Sequence, residues 1–75
     1  MKLTLELEQE ADGRWIAEIT ELPGVLSYGE TRDQAIGNVE RLAIEVIADR
    51  IAHGGLPSSA FAVSFSVPDE FLAIQ

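Results

Sequence analysis

The apolar residues of this chain change their period twice, and that change sets the class of fold open to it. Leu3, Leu5 and Leu7 alternate with Thr4, Glu6 and Glu8, the two-residue repeat of a strand with one buried face. Ala11-Asp12-Gly13 follows, and Asp and Gly tolerate the backbone angles of a tight turn. Arg14 to Thr20 alternates again, with Trp15, Ala17 and Ile19 on one side and Ile16 and Glu18 on the other. The two runs predict a hairpin. Leu22-Pro23-Gly24 breaks the second strand, because Pro presets φ and Gly accepts positive φ. Val25 to Tyr28 is a third, shorter strand ended by Gly29.

At Thr31 the period lengthens to that of a helix. Thr31-x-x-Gln34 fits a capping box, in which the hydroxyl takes a free amide and Gln34 reaches back. Asp33 sits in the first turn, where the positive end of the helix dipole favours an acid. Ala35, Ile36, Val39, Leu42, Ala43 and Val46 recur at helical spacing and form one core-facing stripe. Gly54-Gly55 stops the helix, which at about 30 Å is long enough to cross a small sheet. Gly37, inside it, either admits another backbone or sits exposed on the outer side. The period then returns to two: Phe61, Val63, Phe65 and Val67 share one face of a fourth strand. Pro68-Asp69-Glu70 suits a short helical turn in a tail over residues 68–75.

The order is β-β-β-α-β, an α+β domain over residues 1–67. Three strands joined by short turns make an antiparallel meander. The crossover through the helix is right-handed by rule, and the simplest sheet order is 3-2-1-4 with the fourth strand parallel to the first. One face of the sheet, carrying the leucines of the first strand, Trp15 and the phenylalanines, meets the helix. The other, with Thr4, Glu6, Ile16, Glu18, Ala62, Ser64 and Ser66, is left to water.

Burial is limited in a chain of 75 residues, and no cysteine is present to staple it. Self-association is then the expected way to complete the core, as dimer or tetramer. Two surfaces suit it. The fourth strand is an edge without charge between Phe61 and Val67, and bare edges of that kind pair with other chains. Ile44, Ile47 and Ile51 fall beside the core stripe on the helix. The interface residues expected are Phe61, Val63, Phe65, Ile44, Ile47 and Ile51.

Thirteen acids stand against five bases, a net charge of −8. Phosphate backbones would be repelled, so direct nucleic-acid binding is not expected. No apolar run reaches the ~20 residues of a membrane span, and the first ten residues do not resemble a signal peptide. A cytoplasmic location follows as the expectation. His53 falls at the helix C-terminus, where a protonated imidazole suits the electron-rich carbonyls, and no orienting partner for a general base is identifiable by spacing. Glu6, Glu8 and Glu10 on one strand face, and Glu45 and Asp49 on the helix, lack the loop spacing of a calcium site. The glycines form no phosphate-cradling loop. No catalytic residue, metal or cofactor is expected, and the chain reads as a binding module and not as an enzyme.

The middle of the chain also carries a family pattern. Asp12-Gly13-Arg14-Trp15-Ile16-Ala17-Glu18-Ile19 runs into Leu22-Pro23-Gly24-Val25, then Gly29-Glu30-Thr31 and Gln34-Ala35 lead into the long helix. Over residues 3–67 this resembles the HicB-like antitoxin family, with its aromatic-containing second strand, its Leu-Pro-Gly turn and its Gly-x-Thr helix start. Gln34 departs from the family's usual Glu. The resemblance implies a degenerate ribonuclease-H-like domain that binds and neutralises a small basic, messenger-RNA-cleaving toxin of the HicA type. It implies structural roles for Leu22, Pro23, Gly24, Gly29 and Thr31. Many members continue into a DNA-binding domain. This sequence ends at Gln75, where such a domain would begin, so operator binding is not expected. The runner-up function is a stand-alone homo-oligomeric scaffold or small-ligand binder.

Overall fold

A computed structural model describes residues 1–68. The helical turn expected in the C-terminal tail lies outside the described residues. Three strands, β1 (Lys2–Gln9), β2 (Trp15–Ile19) and β3 (Leu26–Gly29), precede the helix α1 (Arg32–Ala52). A 3-10 turn (Ser58–Phe61) and a short strand β4 (Ser64–Ser66) follow. The sheet order is β3-β2-β1-β4, with β1 antiparallel to β2 and parallel to β4. The α+β class, the strand order and the parallel fourth strand are therefore as the sequence predicts.

The turns work through the residues that punctuate the sequence. In the first hairpin the Gly13 amide donates to Glu10 O at 2.9 Å, and the Glu10 amide donates to Arg14 O at 2.7 Å. Gly13 has φ +94°, a left-handed conformation in which a side chain would be strained. Pro23 and Gly24 sit in the middle of the second turn, closed by the Val25 amide donating to Leu22 O at 3.0 Å. Gly24 takes φ +87° there, as a type II turn demands. The turn's two ends, Leu22 and Val25, are both buried, so they anchor it to the core while Pro23 and Gly24 stay exposed.

Thr31 caps α1, its hydroxyl accepting from the Gln34 amide at 3.1 Å. Gln34 also reaches back, but its Oε1 accepts from the Glu30 amide at 3.0 Å, one residue before the cap, and not from the Thr31 amide that a capping box would use. At the other end the Gly55 amide donates to Arg50 O and the Gly54 amide to Ile51 O. With Gly54 at φ +79° this pair is a Schellman stop. His53 is the last cap residue; its Nδ1 lies 2.8 Å from Asp49 O and 3.4 Å from the Asp49 carboxylate.

Leu3 and Leu5 of β1, Ala17 and Ile19 of β2, Leu22, Val25, and Ala35, Val39, Ala43 and Ile47 of α1 form the core, joined by Ala60. Trp15 is half-buried and packs against it, in phase with Ala17 and Ile19 as expected. Gly29 is the point of closest approach between sheet and helix. A Cβ there would overlap the backbone nitrogen of Ala35 and lie 2.8 Å from Gln34 Cβ.

Two sequence readings change. Ile47 is fully buried and belongs to the core, not to a helix flank free for a partner. The reason is where the helix lies. α1 packs on β2 and β3 rather than over the middle of the sheet, and the 3-10 turn also packs against it. The fully buried line of α1 is therefore Ala35, Val39, Ala43 and Ile47, shifted from the expected stripe, of which Ile36, Leu42 and Val46 are only half-buried. Secondly, the fourth strand is shorter than its alternation predicts. Pro57 offers no amide, its carbonyl accepts from Ala60, and Phe61 falls in the 3-10 turn instead of in a strand. Only Ser64–Ser66 pairs with β1, in the register Lys2↔Ser64, Leu3↔Phe65 and Thr4↔Ser66. Of the two readings open for Gly37 the exposed one holds: an added Cβ would meet nothing within 4 Å.

Candidate functional site on the open sheet face

Strand alternation sends half of the sheet's side chains away from α1. Among the described residues no element covers that side. The register places Tyr28, Ile16 and Glu8 side by side across β3, β2 and β1, and Leu26, Glu18 and Glu6 side by side in the next row. The rows give this face two halves. Toward the β3 edge it is apolar, with Ile16 half-buried and Leu26 and Tyr28 exposed by 37% and 44%. Over β1 and β2 it is acidic. Glu6, Leu7, Glu8, Glu10, Ile16 and Glu18 line an open groove of about 300 Å³ there.

Glu6 and Glu18 are direct register partners. Cβ atoms so paired stand about 5 Å apart, and like charges facing each other in this way destabilise a sheet. Among the described residues neither Glu6 nor Glu18 takes part in an ion pair. Arg14, four residues before Glu18, is held elsewhere: its Nε lies 3.0 Å from Asp12 Oδ2, and its guanidinium rests 5.0 Å from the Tyr28 ring centroid. That ring contact is of the cation–π kind. The Asp12 carboxyl is held below the usual range, first by the Arg14 backbone amide it accepts from and then by the guanidinium. Lys2 lies at the opposite end of β1 from Glu8.

Glu21 has a different task. Its carboxylate accepts from the Thr4 amide at 2.7 Å and from the Thr4 hydroxyl at 2.8 Å. These bonds hold the Glu21 carboxyl below its ordinary value. It pins the end of β2 to β1, next to the Thr20 amide that donates to Thr4 O.

The residues marked by the family pattern are builders of this frame. Leu22 anchors the second turn in the core and the exposed Pro23 and Gly24 shape it, while Gly29 and Thr31 seat and cap α1. Of the expected interface residues, Ile44 is exposed by 46%. Ile51, Val63 and Phe65 are half-buried against the core, and Ile47 is inside it. Sequence alternation separates Glu6, Glu8, Ile16 and Glu18 from the core face, but it misses Leu26 and Tyr28 as their neighbours. Only the β2–β3 register reveals that pairing, and the length of the Pro-Gly turn is its one trace in the sequence.

Among the described residues no group of three or more His, Asp or Glu side chains is placed to hold a metal ion. No described helix is long and apolar enough to cross a membrane. No family model matches this chain, and neither the curated proteins nor the solved structures contain a match to it.

Proposed function

We propose that this chain is a cytoplasmic protein-binding module that neutralises a small basic, RNA-cleaving toxin of the HicA type, as its HicB-like sequence pattern implies. The observation that carries the reading is the concentration of unneutralised glutamates on a sheet face that no described element covers. A basic partner is drawn to such a face at long range and held in register by it. In this reading the sheet and helix are a degenerate ribonuclease-H-like frame kept for its shape, and catalysis belongs to the partner. Co-expression with a short basic protein encoded beside it, followed by affinity capture, tests the proposal. A stoichiometric complex and rescue of growth are expected. Absence of a complex with every adjacent gene product overturns it.

A second reading, self-association, has one specific observation behind it. Ile44 is a large apolar side chain exposed on the outer side of α1, and β4 leaves its far edge without a described strand. Sedimentation showing only an 8.2 kDa species at low micromolar concentration would remove it.

A further inference from the structure

We infer that the open sheet face is the docking surface for a basic amphipathic helix of another protein, which supplies the second helical layer the sheet lacks. The inference deepens the proposed function, and rests on it only for the identity of the partner.

Three features of the face select this occupant. The first is charge. Glu6 and Glu18 oppose each other directly, Glu8 and Glu10 flank them, and Arg14 is committed to Asp12 and Tyr28. An arginine or lysine reaching between Glu6 and Glu18 would turn a repulsive pair into two attractive ones. The second is the apolar half. Ile16, Leu26 and Tyr28 form a contiguous strip beside the acids, which a purely ionic ligand would leave wet. The third is width. Two strand spacings, from β3 to β1, span about 10 Å, close to the diameter of an α-helix with its side chains. A helix lying there would set apolar residues on the β3 side and cations over β1.

The same features exclude other occupants. A second copy of this chain brings its own Glu6, Glu8 and Glu18 against these. Nucleic acid and anionic lipid are repelled. Residues 69–75 of the chain itself add Asp69 and Glu70, two more acids.

Titration of the full chain, labelled with 15N, tests the surface. The probe is a synthetic helical peptide with arginines along one flank and leucines along the next; one control exchanges the arginines for glutamates, another the leucines for serines. The expected result is saturable binding of the probe alone. Amide shifts should centre on Glu6, Glu8, Ile16, Glu18 and Leu26, and affinity should fall as salt is raised. Glu18→Gln should weaken binding about two- to five-fold. The same substitution should raise the melting temperature of the free protein by about 1–5 °C, because the like-charge opposition is relieved. A residue kept only for structure would not move these two readouts in opposite directions. Shifts centred on Ile44 and the outer side of α1, equal binding by Glu18→Gln, or equal binding of either control overturns the surface. If the probe docks as described but no toxin-like neighbour is captured, the surface stands and the toxin identity falls. If a toxin is captured equally by wild type and a Glu6→Gln/Glu18→Gln variant, the surface falls and the toxin reading stands.

Discussion

The two faces of one sheet are built from the same strands, yet they obey different rules. On the helix side Leu3, Leu5, Ala17 and Ile19 are sealed from water. Across the backbone, Glu6, Glu8, Ile16 and Glu18 alternate with them and face outward. The helix side is organised for stability: apolar, closely filled, with its turns buried at Leu22 and Val25. On the open side, directly opposed acids cost stability, and an apolar strip is left exposed. A small domain has little margin to give away. The difference teaches that burial against α1 fixes the residues of one face, while the open side, free of that packing, can carry charge at a cost to stability.

The largest effect should come from comparing two isoleucines of β2. Ile19→Ala removes a fully buried side chain and should cost about 2–5 kcal/mol, enough to unfold much of so small a domain. Ile16→Ala, on the open face, should cost less than about 1 kcal/mol. Urea unfolding followed by Trp15 fluorescence reads both. Equal losses would break the distinction between the faces, and Ile19→Val, at about 1 kcal/mol, keeps the test readable if Ile19→Ala does not fold.

Two glycines sharpen the same contrast at the helix. Gly29→Ala drives a methyl group into the backbone of Gln34 and Ala35 and should destabilise by about 1–3 kcal/mol. Gly37→Ala adds the same group to open space in mid-helix and should stabilise by up to about 1 kcal/mol. Thermal unfolding should therefore move in opposite directions for one chemical change. A stabilised Gly29→Ala would mean that α1 does not seat where described.

The smallest effect concerns Glu21. Its folded-state carboxyl lies below the ordinary value near 4.5 because it accepts from the Thr4 amide and hydroxyl. A lowered folded value makes its contribution full above the unfolded pKa and lost as pH falls through the folded one. Melting temperature should thus fall between pH 6 and the acid limb, and Glu21→Gln should flatten that fall. An unchanged slope in Glu21→Gln would assign the acid sensitivity elsewhere.

Much of this frame is legible in the chain because local signals and global order agree. The alternation of Leu3, Leu5 and Leu7, the Asp12-Gly13 and Pro23-Gly24 turns, and the Thr31 and Gly54 limits of α1 each have a local physical cause. Where the reading misses, tertiary position decides. Ile47 continues the i, i+4 line of Ala35, Val39 and Ala43, and the seat of α1 on β2 and β3 turns that line, rather than the one ending at Val46, into the core. Phe61 leaves the strand because Pro57 begins a turn before pairing with β1 can start. The candidate site is half legible. Its glutamates follow from parity alone, whereas Leu26 and Tyr28 join them only through the register between β2 and β3.

The parallel pairing of β1 with β4 has a consequence during synthesis. β1 emerges from the ribosome first, and β2, β3 and α1 can pack on it as they appear. Its other edge stays unpaired until Ser64–Ser66 follows, almost the full described length later. Contacts so distant along the chain form slowly, and an unpaired strand edge invites association in the meantime. The closure is also partial: β4 covers only Lys2, Leu3 and Thr4, so the rest of that edge of β1, residues 5–9, has no partner strand among the described residues.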